Sequence, residues 1–127
     1  ASKAVALAEM AKELGPVSGC GFDELEGQQF DLIINGTAAG LKGEVPAIPE
    51  SCLAEGGWTY DMMYGSEPTA FVLWGRGHGA GRALDGLGML VEQAAESFAL
   101  WRGVRPQTGP VLAALRAQLA DEAARDA

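Results

Sequence analysis

Histidine and cysteine are nearly missing from this sequence of 127 residues: His78 stands alone, and Cys20 and Cys52 are the only thiols. Zinc sites are built from closely spaced Cys and His ligands, so no metal centre is expected. Two widely separated thiols suggest neither a redox pair nor a disulfide framework, and a reduced cytoplasmic setting is the simplest reading. Positive charge is also scarce, with 9 Lys and Arg against 17 Asp and Glu, a net charge of −8 and a pI near 4.5. That balance repels polyphosphate backbones and anionic headgroups, which argues against nucleic acid or membrane as partner. An anionic ligand would have to be met by a local cluster of donors. No apolar run approaches the ~18 residues of a membrane-spanning helix. The opening segment Ala4–Leu14 is interrupted by Glu9, Lys12 and Glu13, unlike the apolar stretch of a signal peptide.

What remains is a chain long enough for one small domain with a core. Ser2 stands at an N-cap position before a helix over residues 3–14, with Ala4, Leu7, Ala8, Ala11 and Leu14 on one face and Gly15-Pro16 as its end. Val17–Cys20 reads as a short strand and Phe22–Gln28 as an acidic helical turn. Phe30–Asn35 is the clearest strand, and its continuous Leu32-Ile33-Ile34 core asks for cover on both faces. After an irregular loop with Pro46 and Pro49, Gly56-Gly57 leads into a second strand, Trp58–Met62. Asp61 at its end reads better as a buried carboxylate accepting backbone hydrogen bonds in a tight turn than as a catalytic acid. Thr69 is placed to cap a short helix, Ala70–Trp74, followed by a mobile loop, Gly75–Gly81. That loop is not a phosphate loop, because no strand precedes it and no helix begins within it. His78 within it is expected to be exposed and without a role. Gly103–Gly109 reads as a linker, and Pro110 opens a last helix with a narrow stripe of Val111, Leu112, Leu115, Leu119 and Ala123. Alternating helices and strands predict an α/β fold with a parallel sheet, whose ligands bind beyond the carboxyl ends of the strands. Asn35-Gly36-Thr37 lies at such an edge. Taken alone, Thr37 reads as a turn hydroxyl capping its own backbone.

The chain is organised around Leu84–Ala95, where Gly86 and Gly88 hand over to an apolar helix running to Arg102. Glycine lets backbone approach a neighbour or ligand more closely than a Cβ allows. The helix is apolar around most of its circumference, which predicts extensive burial. Gln93 lies within one turn of Met89, and an amide there needs partners from protein, water or ligand.

In order, the blocks Phe30–Leu41, Val45–Pro49, Tyr60–Tyr64 and Asp85–Leu90 with Gln93 resemble the C-terminal part of shikimate dehydrogenases, the NADP-dependent enzymes of the aromatic amino-acid pathway. The resemblance runs from Ser2 to the last helix. It implies an incomplete Rossmann-like parallel sheet flanked by helices, with a C-terminal helix. Residues 1–103 would be the remainder of an NADP-binding domain, and 104–127 a linker and terminal helix. It implies NADP contacts at Lys3 and Thr37 on the adenosine side and at Met62 and Gly86 near the nicotinamide. Tyr64 and Gln93 would hold shikimate or 3-dehydroshikimate. Ala38 and Ala39 stand where the family often has serines, which leaves packing and backbone hydrogen bonds at that edge. Pro68 precedes Thr69, where the family usually has Thr-Pro.

The family's N-terminal substrate domain, its catalytic lysine–aspartate pair and its Gly-rich phosphate loop do not appear in these residues. No catalytic residue is therefore assigned. The chain reads as part of an oxidoreductase, inactive alone and expected to join the missing N-terminal portion or to self-associate. Two other readings stand beside it: a quinate/shikimate dehydrogenase using NAD, and a non-enzymatic oligomerising α/β module.

Overall fold

Three short parallel strands carry the architecture of the computed structural model, which describes residues 2–126. β1 (Phe30–Asn35) pairs with β2 (Leu53–Asp61), and β3 (Arg82–Leu84) lies on the far side of β2. The α-helices are α1 (Ser2–Ala11), α2 (Ala70–Gly77), α3 (Leu87–Arg102) and α4 (Thr108–Asp126). The register sets Asn35 level with Asp61 and Tyr60 level with Leu84, so the carboxyl ends of the strands meet at one edge. This is the α/β sheet with a terminal helix that alternation and resemblance both implied.

Glycines account for several departures from expectation. Gly56-Gly57 was read as a break before β2, yet both residues lie inside the strand. Gly56 takes φ +70°, and around it the register jumps from Phe30↔Leu53 to Leu32↔Trp58, the signature of a bulge. α2 was expected to end at Trp74 but continues to Gly77. A Cβ at Gly75 would lie 2.1 Å from Thr59 Oγ1, so the helix seats its bare backbone directly on β2. The helix-propensity loss, about 1 kcal/mol per glycine, is offset by burial of Phe71 and Val72 beside it. β3, embedded between Gly81 and Asp85, was not anticipated at all.

His78 is corrected by the same packing. It is half-buried at the end of α2, its Nδ1 donates to the Trp74 carbonyl at 2.7 Å, and its ring stacks on that indole. A carbonyl only accepts, so Nδ1 carries the proton. At the other end of the chain α1 stops at Ala11, and Val17–Cys20 form no strand. Gly19 instead runs against α1, where an added Cβ would stand 2.2 Å from the Ala4 carbonyl oxygen.

Burial is lopsided. The largest fully buried side chains are Phe71, Leu87, Thr59, Asp61 and Cys52. On β1, which was expected to be covered on both faces, Leu32 and Ile34 are 51% and 59% exposed. β1 is an edge strand here, so one side of its ladder is unpaired and one face lacks cover from the described residues. α3 is likewise less buried than its composition suggested. Leu87, Val91 and Ala95 form one sealed stripe, while Leu100 and Trp101 are 84% and 80% exposed. α4 packs back on α3, and its stripe is half-buried at best.

Candidate functional site

The site grows from two buried polar side chains at the strand ends. Asn35 Nδ2 donates to Asp61 Oδ1 at 3.3 Å, across the β1–β2 pair. Asp61 also accepts from the Met63 N–H at 3.1 Å and from the Thr69 hydroxyl at 2.6 Å. Thr69 in turn accepts from the Val72 N–H and caps α2. Asp61 is therefore the structural carboxylate that its position suggested, tying two strands to the start of a helix.

On the other side of Asn35, its Oδ1 accepts from the Thr37 N–H at 3.1 Å and from the Thr37 hydroxyl at 2.7 Å. Thr37 Oγ1 accepts from the Ala39 N–H at 3.3 Å. The threonine thus closes a local turn. Its hydroxyl proton is engaged, which leaves a ligand the methyl group and one lone pair.

Met62 and Gly86 are brought together with this turn through the backbone. The Met62 N–H donates to the Asn35 carbonyl at 3.0 Å, and the Gly86 N–H donates to the Met63 carbonyl at 2.9 Å. A Cβ on Gly36 would stand 3.0 Å from Met62 Sδ, so the thioether lies over Gly36 and remains 44% exposed. Gly86 is buried, and the reason for glycine differs from the expected approach to a ring. A Cβ there would stand 2.1 Å from the Met62 carbonyl oxygen, so two backbone segments cross at contact distance. The result is a ridge of Thr37 and Met62 at the carboxyl edge of the sheet, with Gly86 buried against the Met62 backbone.

The other candidates are placed more loosely. Tyr64 follows two positions after Met62 and is half-exposed. Gln93 is exposed on α3, where Nε2 donates to the Leu90 carbonyl at 3.2 Å and Oε1 is left available. Lys3 is exposed on α1, and among the described residues no hydrogen bond or ion pair joins it to the ridge.

Three contributors escaped the sequence reading. The Tyr60 hydroxyl accepts from the Met89 N–H at 3.2 Å and tethers the first turn of α3. Asp85 Oδ1 accepts from the Leu87 N–H at 3.2 Å, an Asx turn whose Asp-Gly pair before the helix was a readable turn signal. Arg116, from α4, forms an ion pair with that same oxygen. Donating this hydrogen bond to Asp85 holds the guanidinium above its ordinary pKa. No local pattern could have announced a partner so distant in sequence. Tyr60, Asp85 and Arg116 also line a cavity of about 430 Å³.

The family model for the Shikimate 5'-dehydrogenase C-terminal domain matches residues 86–116. The chain is 59% identical over 115 residues to a shikimate dehydrogenase (NADP(+)) of Alkalilimnicola ehrlichii, covering 91% of this chain and 42% of that protein. It is 60% identical over 116 residues to the protein of the same name in Alcanivorax borkumensis, covering 90% and 41%. The chain thus spans about 42% of the length of such relatives. Among solved structures, an Ael1 enzyme from Pseudomonas putida superposes with a TM-score of 0.75 at 42% identity, over 90% of this chain and 41% of that one. A shikimate dehydrogenase in complex with NADP+ superposes with a TM-score of 0.73 at 29% identity, over 94% and 44%. Over the stretch it spans, the chain is similar to the C-terminal portion of shikimate dehydrogenases.

Proposed function

We propose that this chain is the cofactor-side portion of an NADP-dependent shikimate dehydrogenase, which interconverts 3-dehydroshikimate and shikimate. The observation that carries the reading is the meeting of Met62 and Gly86 with the Thr37 turn at the carboxyl edge of a parallel sheet. A half-exposed thioether lying over the exposed backbone of Gly36 suits a flat aromatic ring. When bound, NADP supplies or accepts the hydride, and the protein supplies orientation. Met62 and Gly86 fix the nicotinamide end, while Thr37 packs on the adenosine side with Lys3 as its cationic contact. Tyr64 and Gln93 reach the substrate hydroxyls, Gln93 with the oxygen its own helix leaves available. Residues 1–103 form the cofactor-side unit, and 104–127 the linker and terminal helix. Among the described residues no helix is long and apolar enough to cross a membrane, and we place the protein in the cytoplasm.

The proton-transfer groups lie in the remaining length of the enzyme, which also covers the open face of β1. In its absence that edge is a template for another chain. The purified 127-residue chain is therefore expected to oxidise no shikimate above a buffer blank, and light scattering should read a species larger than 13.2 kDa. Turnover by the chain alone would require a proton acceptor within it and overturn the division of labour. A monodisperse monomer would mean that β1 is covered from within.

The substrate assignment has its own test. In the full-length enzyme, Gln93→Ala should raise the KM for shikimate about 2- to 13-fold, the loss of one neutral hydrogen bond. The KM for NADP should stay unchanged. A raised cofactor KM with an unchanged substrate KM would move Gln93 to the nucleotide.

A further inference from the structure

We infer that Arg116, on the terminal helix, is a positioning residue for the nicotinamide end of the site, acting through Asp85 on Gly86. The inference rests on the reading of the site proposed above. One carboxylate oxygen, Asp85 Oδ1, joins α4 to α3: it meets the Arg116 guanidinium and accepts the Leu87 N–H. The Asp85 side chain is only 10% exposed, and among the described residues Arg116 is its only ion-pair partner. A guanidinium donating to one oxygen of a largely buried carboxylate favours the side-chain orientation that also serves the Leu87 N–H.

The next residue has no slack. Gly86 is clamped between the Met63 carbonyl, which accepts from its N–H, and the Leu90 N–H, which donates to its carbonyl at 3.0 Å. Its Cα faces the Met62 carbonyl with no room for a methyl group. A displacement of Asp85 is therefore passed to Gly86 and Met62 rather than absorbed in a loop. The Tyr60 hydroxyl holds the Met89 N–H of the same helical turn independently of Arg116. Losing Arg116 thus shifts the turn without unravelling it. The cavity beside the ion pair, about 430 Å³, gives a released Asp85 side chain room to swing away from the Leu87 N–H.

Small misplacements at a reacting centre cost rate more than binding. In the full-length enzyme, Arg116→Met, which keeps the aliphatic stem, should lower kcat by roughly tenfold. The KM values for NADP and shikimate should stay within about twofold, since the contacts themselves remain. Arg116→Lys, which keeps the charge, should recover most of the lost kcat. A second reading uses the 127-residue chain and needs no activity. The Leu87 amide should exchange with deuterium roughly tenfold faster in Arg116→Met than in Arg116→Lys, because its acceptor has been freed. An unchanged kcat alongside a lowered melting temperature would reduce Arg116 to a stabilising residue and overturn the inference. Unchanged Leu87 exchange would overturn it as well. If the full-length protein proves inactive on shikimate, the proposed function fails, while the exchange result still decides whether Arg116 holds this turn.

Discussion

Gly86→Ala is expected to remove nearly all turnover from the full-length enzyme and to destabilise the isolated chain by about 1–3 kcal/mol, the range for forced overpacking. The dihedral angles are not the cause, since Gly86 has φ −81° and ψ 0°, which other residues adopt. The obstacle is space. The new methyl carbon would stand 2.1 Å from the Met62 carbonyl oxygen, 2.6 Å from its carbon and 3.2 Å from the Asp61 carbonyl oxygen. None of these atoms belongs to a flexible side chain. Met62 is pinned by its N–H on Asn35, and Gly86 by its N–H on Met63, so the two segments must separate and break those bonds. A shift of about 1 Å at this point displaces the proposed nicotinamide contact, and misplacement of that size can cost on the order of 100-fold in rate. Gly88→Ala is the control. An added Cβ there meets no atom within 4 Å, and the position lies inside α3. It should leave stability unchanged or raise it by up to about 1 kcal/mol through helix propensity. Thermal melts of both variants and steady-state kinetics of the full-length enzyme read the difference. Equal behaviour of the two alanines would show that the crossing at Gly86 is looser than its geometry.

The contrast between these two glycines marks how far the sequence was legible. Phe30–Asn35 announced itself as a strand because its β-branched apolar run is bounded by glycines, and Thr69 announced a cap by residue type and place. Glycine by itself does not say whether it breaks an element or lets two elements touch. Gly75 and Gly77 looked like the end of α2, yet Gly75 is where the helix lies on Thr59. Arg82–Leu84 is too short for any periodicity, and it becomes a strand only because β2 offers a free edge. Apolarity around α3 was plain, but it names what could be buried, and exposure is decided by which neighbours are present. The site divides the same way. Met62, Gly86 and Thr37 were proposed through resemblance, and their meeting is visible only in the fold, where Met62 bonds to Asn35 and Gly86 to Met63. Tyr60 and Arg116 act across the fold, where no local pattern points.

Asp61→Ala should be the most damaging change to stability, at about 3–5 kcal/mol. Asp61 and Asn35 are 0% and 3% exposed, and the carboxylate is the shared acceptor for Asn35 Nδ2, the Met63 N–H and the Thr69 hydroxyl. Removing it leaves three donors without that acceptor, and each buried orphan costs about 1–3 kcal/mol. The upper sum is not reached, because the Met63 and Thr69 bonds are only partly buried and water can replace the lost acceptor. A small domain is stable by about 5–15 kcal/mol in total, so a large part of its margin would go. The damage should also travel. Asn35, freed from Asp61, no longer presents Oδ1 to Thr37, and the turn that forms the adenosine edge of the proposed site loosens. Asp61→Asn separates this structural role from a catalytic one. An amide can accept through one oxygen but turns its NH2 toward a donor, so it should lose roughly half as much stability as alanine, about 2 kcal/mol. Urea unfolding of the chain measures both. Were Asp61→Asn as stable as the unsubstituted chain while the full-length enzyme lost turnover, the carboxylate would belong to the chemistry rather than to the scaffold.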